Sequence, residues 1–483
     1  MSKEAPARTG IVHSILESTA EGVLRELARA PSDVAYVEIR ADRLRAPECA
    51  GLVAACAVPA IVTVREVSDG GGFTGSAAEK RAILEAALHA GAAFVDVEAE
   101  GSAADLAEGR WAPRAILSHH GGPCEREALT RRLDRMRSSR AARLKIVPEA
   151  GRAGEIAALP PLLREAAGRL ALFASGRAGA ASRIFALAWG SWGTYGAVAP
   201  GRESAPGQLT TRSLVDVYRV LAIGPATRRF ALVGTPVLES PSPAMHAAGF
   251  SALALDAVYV PLECDDLDDA SVLDLHGLAV TTPLKGAAFR RCARVDADSR
   301  SGAVNTVRIA GSEWAGHNTD VAAARRLLAP LLRTAGRRVA IAGAGDSARA
   351  LGGMLAREGA DVTLYARNVS RAEEAAAAVG ARAASLDRLA GASWDVLVQA
   401  TPLGRNGEGL LPAKSLTGAA VLDLAYGRAA TPLVSDARAR GLRVIDGHAF
   451  LLEQALLQFA LLTGLQPPRG VMESALDAIR GAA

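Results

Sequence analysis

Two short stretches carry side chains whose types and spacing could do covalent chemistry. One is Leu144-Lys145-Ile146-Val147, a lysine inside an apolar run. The other is Ala115-Ile116-Leu117-Ser118-His119-His120, an apolar run that ends in two histidines. An ammonium is costly to hold among oily neighbours, so an amine there tends towards its neutral, nucleophilic form. The plain alternative is a lysine that snorkels to a rim. An amine and an imidazole together suit proton abstraction beside a ketone held as a Schiff base. Nearby segments supply Glu38, Arg40, Arg65, Asp69, Asp96, Glu98 and Arg183. The arginines suit a substrate carboxylate, which a planar guanidinium can grip with two bonds. Successive side chains of a strand point to opposite faces, so only one of His119 and His120 can face the chemistry.

A second set lies further along. The run IAGAGDSARA (Ile341–Ala350) is G-x-G-x-x-A between an expected strand and an expected helix. Backbone N–H groups at such a helix start can meet a pyrophosphate. An NAD-type fold places an acid at the end of the next strand, Asp361–Ala366, for the ribose hydroxyls. This chain has Arg367 and Arg371 there, which favour a 2′-phosphate and hence NADP; the bland alternative is a solvated helix start. Asp346 brings a negative charge into the turn. Upstream, Gly234–His246, VTTPLK (Val280–Lys285), GAVNT (Gly302–Thr306) and GHNTD (Gly316–Asp320) put polar groups in loops after strands. Lys285 and Asp320 could share a proton or position a hydroxyl for hydride transfer.

These groups need elements to hold them. In the first half, β-rich runs alternate with helical ones: Gly10–Ser14, Val34–Arg40, Ala60–Arg65, Ala93–Glu98, Arg114–Ser118, Arg143–Val147, Leu170–Ala174 and Thr194–Val198. Helical patterns such as Ala78–Ala90 and Glu125–Ser138 lie between them. Eight such strands fit a (β/α)8 barrel, with an open parallel sheet as the alternative. In a barrel the active site sits at the C-terminal strand ends, where the residues above fall. A helix over Leu214–Leu221 closes this half, and Gly224-Pro225 marks a boundary. A strand at Phe230–Val233 opens the next α/β unit, Arg338–Ala342 begins a third, and Ala449–Gly464 is a long helical pattern near the end.

Composition bounds the reading. At 483 residues the chain is long enough for two to four domains. The net charge of +4 is small, and arginines are interleaved with acids, so no nucleic-acid stripe is expected. Five cysteines without C-x-x-C spacing argue against a disulfide framework or a zinc site, and no metal is expected. The start MSKEAPARTG has no apolar core and no stretch is long enough to span a bilayer, so the expected location is cytoplasmic, with no membrane partner.

The ordered fragments VEIRADRL, TVR…DGG, VDVE, LSHH, LKI, SR and SAPGQ resemble type I 3-dehydroquinate dehydratase over roughly residues 10–222. The resemblance implies that Lys145 forms the imine with the substrate ketone. His120 would move the proton and assist loss of the hydroxyl, and Arg183 would hold the carboxylate. Glu38, Arg40, Arg65, Ser204 and Gln208 would line the ring hydroxyls and closing loop. Asp69 stands where the family has the Glu that orients the histidine, Gly121 where it usually has a polar residue, and Ser175 where it has Met.

The later fragments, with VLVQATPLG, the D-x-x-Y of Asp423–Tyr426 and GHAFLLEQA (Gly447–Ala455), resemble shikimate dehydrogenase over roughly 229–483. That implies a catalytic pair of Lys285 and Asp320. Shikimate would be held by Ser240, Ser242, Thr281, Asn305, Tyr426 and Gln454. NADP would be held by Gly343, Gly345, Ala348, Arg367, Arg371 and Gly447. Ala279 and Gln399 replace family asparagines.

The expected architecture is a barrel over 10–222 and a substrate-binding domain over 229–330. Helices at about 446–480 complete the latter, and a Rossmann-like NADP domain spans 331–445. The two halves would dehydrate 3-dehydroquinate to 3-dehydroshikimate and reduce that to shikimate. Two alternatives are an NAD-dependent quinate dehydrogenase fusion and a non-catalytic metabolite sensor.

Overall fold

The computed structural model describes residues 8–44, 49–331, 336–404, 406–427 and 429–481. The chain divides into two compact units, one of Met1–Arg228 with Asp256–Asp274 and one of Arg229–Leu255 with Leu275–Ala483.

The first unit is built on eight parallel strands. They are β1 (Gly10–Ile15), β2 (Val34–Arg40), β3 (Ala60–Thr63), β4 (Phe94–Glu98), β5 (Ala115–Pro123), β6 (Arg143–Glu149), β7 (Leu170–Leu172) and β8 (Gly193–Ala197). Seven ladders run in the order β7-β6-β5-β4-β3-β2-β1-β8. The last seam is narrow: Trp192 N–H donates to the Leu170 carbonyl. The result is a near-closed barrel, which decides against the open sheet.

The period of two along each strand sorts the interior by height. One end is apolar, packed by Val12, Tyr36, Ile61, Phe94, Ile116, Ala171, Trp192 and Tyr195. Two residues further along the same strands come Ser14, Glu38, Thr63, Asp96, Ser118 and Lys145, all buried. The charged mouth therefore rests on an oily floor, at the strand ends where barrels place their chemistry. β5 runs on to Pro123, longer than expected, because Gly121 and Gly122 adopt positive φ (83° and 77°) and let the strand swerve directly after His120.

One expectation fails here. Leu214–Leu221 is not an α-helix: Ser213–Val217 forms a single wide turn in which Tyr218 N–H bonds the Ser213 carbonyl. Arg219, at φ 48°, then ends it.

β9 (Arg228–Gly234) leads towards the second unit, and β10 (Ala257–Glu263) lies in the segment grouped with the first. The second unit has two sheets. The first includes β9, then β11 (Gly277–Val280), β13 (Thr306–Ala310), β14 (Glu313–His317) and β12 (Arg294–Val295), adjacent in that order. The other runs β17 (Arg382–Ser385), β16 (Asp361–Ala366), β15 (Arg338–Ala342), β18 (Val396–Gln399), β19 (Ala420–Asp423), β20 (Arg443–Ile445). All five of its pairings are parallel. Counted from β15, the order is 3-2-1-4-5-6, that of a Rossmann fold, whose ligand crevice opens between the first and fourth strands. Helix Gly447–Thr463 follows the last strand.

Candidate active sites

Three neighbouring strands set the barrel site. β6 pairs with β5 so that Lys145 lies opposite Ser118, and β5 with β4 so that Ser118 lies opposite Glu98. The Lys145 Nζ donates to Asp96 Oδ2 at 2.8 Å, lies 4.0 Å from Glu38 Oε1, and sits 4.3 Å from the centre of the Tyr195 ring. Lys145 is 4% exposed. The amine is thus inward-facing, as expected, but it is not surrounded by oil. Its apolar sequence neighbours point away, and an ion pair with a buried carboxylate takes their place.

Asp96 is the hub. It accepts from Lys145 on one oxygen and from Arg65 (2.9 Å) and Ser118 (2.6 Å) on the other. Burial alone would raise the Asp96 carboxyl; the charges of Arg65 and Lys145 hold it far below the ordinary carboxylate range instead. Arg65 also bonds Ser118 Oγ at 2.9 Å and stands 3.5 Å from Glu98. Glu38 accepts from Ser14 (2.5 Å) and Thr63 (2.8 Å). Arg40 is held as a bidentate pair by Asp42, at 2.8 and 2.9 Å.

The two histidines part as alternation requires. His119 turns outward to Glu100, at 3.2 Å. His120 shares the inward face with Ser118, and its Nδ1 is buried without a hydrogen-bond partner. Burial, then the charges of Arg65 and Lys145, push its imidazole well below the usual 6.5, against the pull of Asp96. Neutral imidazole is the form that accepts a proton. The acid limb of the first unit's kcat/KM that reports this group should therefore fall below pH 6.5, as read from a pH–rate profile. An inflection at or above 6.5 that disappears in His120→Asn would contradict this.

Asp69 is not drawn into the cluster. It lies on the turn Val67–Asp69, bonded to Ser68 Oγ at 3.2 Å, and among the described residues no hydrogen bond joins it to His120. Arg183 is 2% exposed, its guanidinium stacks 4.7 Å from the centre of the Phe173 ring, and its Nε is unpartnered. Burial pulls its pKa down to about 10. Among the described residues no ion pair neutralises this cation, and a buried unpaired charge is costly. Arg183→Met should weaken binding of the carboxylate substrate and stabilise the ligand-free barrel by about 1–3 kcal/mol, measured as KM and as an unfolding midpoint on one sample. Ser204 donates through N–H and Oγ to Gln208 Oε1 (2.6 and 2.9 Å), and Gln208 Nε2 bonds the Tyr195 carbonyl at 3.3 Å. This loop is seated on the mouth.

In the second unit, Lys285 opens helix Lys285–Arg291 and Asp320 lies in the first turn of helix Thr319–Leu328, whose cap is Asn318. Their Nζ and Oδ2 are 2.5 Å apart. Lys285 Nζ also meets Ser347 Oγ, at 3.2 Å, in the glycine-rich turn. Asn305 Nδ2 donates to Thr319 Oγ1 (3.0 Å), which approaches Gln454 Oε1 (3.4 Å). Ser242 N–H bonds Ser240 Oγ, and Thr281 follows β11 with partial exposure. The Tyr426 ring lies tilted against that of His448, with ring centres 5.9 Å apart. Gly447 is forced: a Cβ there would lie 2.3 Å from the Ala425 carbonyl oxygen.

The turn fits a phosphorylated cofactor. Gly343 has φ 125° and a Cβ there would meet the Ala400 carbonyl at 2.9 Å, whereas Gly345, the N-cap of helix Asp346–Arg357, faces open space. Ala348 packs fully buried beneath. Beside the turn is a cleft of 580 Å³ lined by Arg290, Arg349, Arg371 and Asp346, among others. Arg349 gives one bond to Asp346 (3.2 Å), and its Nε is buried without a partner. Arg371 lines the cleft; Arg367 is exposed and is not among its lining residues.

Reading the sequence passed over Tyr195, Ser118, Ser347 and Lys80, and gave Asp96 no role. Lys80 is fully buried between Glu66 and Glu98. A lysine four residues after an N-cap serine reads as a solvated helix face, and only the fold reveals otherwise.

Four family profiles match the chain: type I 3-dehydroquinase over residues 11–225, the shikimate dehydrogenase substrate binding domain over 232–307, the NAD binding domain of D-isomer specific 2-hydroxyacid dehydrogenase over 299–420, and the shikimate 5′-dehydrogenase C-terminal domain over 447–476. The bifunctional 3-dehydroquinate dehydratase/shikimate dehydrogenase of Arabidopsis thaliana is 29% identical, covering 90% of this chain and 78% of that protein. The NADP(+) shikimate dehydrogenase of Anaeromyxobacter sp. (strain Fw109-5) is 38% identical, covering 52% of this chain and 96% of that one. The corresponding enzyme of Halobacterium salinarum is also 38% identical, over 52% of this chain and 98% of its own length. The chain belongs to the shikimate dehydrogenases, joined behind a type I 3-dehydroquinase barrel as a bifunctional enzyme of the shikimate pathway.

Proposed function

We propose that the barrel dehydrates 3-dehydroquinate through an imine on Lys145, and that the second unit reduces the resulting 3-dehydroshikimate to shikimate with NADPH. The observation that carries the first half is a buried amine and an imidazole whose Nδ1 has no hydrogen-bond partner among the described residues, on the same inward face of adjacent strands.

In the first reaction the neutral imidazole of His120 takes the Lys145 proton, and the free amine attacks the ketone carbon. Water leaves and a C=N bond remains. His120 takes the proton from the carbon beside it and returns it to the departing hydroxyl, so a second water leaves and a C=C bond forms. A further water then hydrolyses the imine and frees Lys145. Arg183 holds the carboxylate, and Arg65, Glu38 and Arg40 face the ring hydroxyls. Gln208 and Ser204 close the loop. Asp69 remains a candidate for orienting His120 only if the loop tightens around substrate.

In the second unit Gly343, Gly345 and Ala348 shape the turn, and Arg371 takes a 2′-phosphate, with Arg367 beyond it. When bound, the nicotinamide would supply the hydride for the reduction. The chain's share is to hold the ring, through Ser240, Ser242, Thr281, Asn305, Tyr426 and Gln454, and to pass a proton between Lys285, Asp320 and the reacting oxygen. NADP is favoured over NAD by the absence of an acid at the end of β16. Arg371→Ala should raise KM for NADPH about tenfold while moving KM for NADH much less, measured side by side. An equal effect on both would remove Arg371 from selectivity.

The domain limits that follow are 10–222 for the barrel, 229–330 with 446–480 for the substrate domain, and 331–445 for the cofactor domain. Among the described residues no helix is long and apolar enough to cross a membrane. Five free thiols fit a reducing, cytoplasmic setting. The whole reading is tested by supplying 3-dehydroquinate and NADPH together. NADPH oxidation that needs both halves supports it; reduction of NAD by quinate, with no NADPH oxidation, would sink it.

A further inference from the structure

Lys80 lies on helix Ala77–His89, outside the barrel wall, yet it is completely inaccessible to solvent. Its Nζ is 2.7 Å from Glu66 Oε1 and 2.5 Å from Glu98 Oε2. Glu66 also accepts from the N–H and Oγ of Ser102, at 3.0 and 2.7 Å. Burial would raise the Glu66 carboxyl, but the bond from Lys80 and those from Ser102 bring it down to about 2. Glu98 spends its second oxygen on the Glu66 N–H (3.1 Å) and on Arg65 (3.5 Å). Gly101 roofs the pair: a Cβ there would press on the Glu98 side chain at 3.0 Å. The bonds form one line, Lys80 to Glu98 to Arg65 to Asp96 to Lys145, from the outer helix to the reactive amine.

A fully buried lysine is a poor way to stabilise a fold, because apolar residues of similar volume usually do as well. The line it anchors ends on groups that face the mouth. We infer that Lys80 is a positioning residue for the dehydratase: by fixing Glu98, it sets the direction in which Arg65 presents its guanidinium to the substrate. Without it, Glu98 turns its full charge on Arg65 and draws that group back from the mouth.

The inference rests on the reading of Arg65 as a substrate-binding group, and the test separates the two. In the full chain, Arg65→Gln, Lys80→Met and Lys80→Arg are compared for dehydratase KM and kcat. Active barrel is counted by borohydride trapping at saturating 3-dehydroquinate. Lys80→Met is expected to raise KM about tenfold with kcat per trapped site within about threefold, and Lys80→Arg to recover most of it. A purely structural lysine would lower the trapped fraction and leave KM alone; that result overturns the inference. So does a Lys80→Arg variant that recovers nothing. If Lys80→Met leaves no trappable barrel, Glu98→Gln carries the same expectation of raised KM, and an unchanged KM there overturns the inference equally. An unchanged KM in Arg65→Gln would instead refute the role given to Arg65 itself.

Discussion

Lys145→Ala lowers dehydratase kcat/KM by about 10⁴-fold or more, as the loss of a covalent nucleophile does, and leaves shikimate oxidation by the same molecules within about twofold. The first effect follows from the bond the amine must form: no neighbouring group can replace it, because Arg65 and Arg183 are guanidinium ions and His120 is placed for protons. The second follows from its contacts. Asp96, Glu38 and Tyr195 all belong to the first compact unit. Truncation should not unfold the barrel, since Asp96 keeps Arg65 and Ser118 as partners after the amine is gone. The measurement pairs steady-state rates with intact mass after borohydride and 3-dehydroquinate. Wild type should gain one reduced adduct and the variant none. A variant that still forms the adduct, or retains a tenth of the rate, would mean that another nitrogen makes the imine.

How far these sites could be read beforehand depended on the range of each contact. Period two along β5 was enough to send His119 and His120 to opposite faces, because the rule acts within one strand; which of them is the inward one was given by the resemblance. The apolar run around Lys145 hinted at burial, with snorkelling as the alternative, but said nothing about what the amine would meet. Asp96 lies 49 residues earlier, and the lysine's apolar sequence neighbours suggested a neutral cavity where the register of two ladders supplies a carboxylate. Ser347 and Lys80 were silent for the same reason: their partners are 62 and 18 residues away. The turn at Ser213–Val217 shows the opposite error. Local apolar spacing implied a helix, and tertiary packing chose a wider turn. Asp69 was placed by analogy with a longer side chain, and here it bonds its neighbour instead. Two strands of the Rossmann sheet, Arg338–Ala342 and Asp361–Ala366, were easier, since a strand, a glycine turn and a helix start are local signals.

Lys285→Ala and Asp320→Asn should each lower dehydrogenase kcat by about 10²–10⁴-fold, the range of a lost acid–base group, and the double variant should be scarcely worse than either single one. The reason is the 2.5 Å contact between them. A proton held so closely between an amine and a carboxylate belongs to the pair, so removing one member disables the other. Independent contributions would multiply; groups acting as a unit do not. Cofactor affinity offers the control. Neither residue is among those lining the arginine-rich cleft, so NADPH binding followed by fluorescence should stay within about threefold of wild type. Ser347 sharpens the expectation, because it ties the lysine to the turn at 3.2 Å. Ser347→Ala should cost the rate far less than Lys285→Ala, about threefold to tenfold, the loss of one hydrogen bond to a charged group that water can replace. If instead the double variant multiplied the single losses, Lys285 and Asp320 would be acting on different atoms of the substrate, and the shared proton would have to be abandoned.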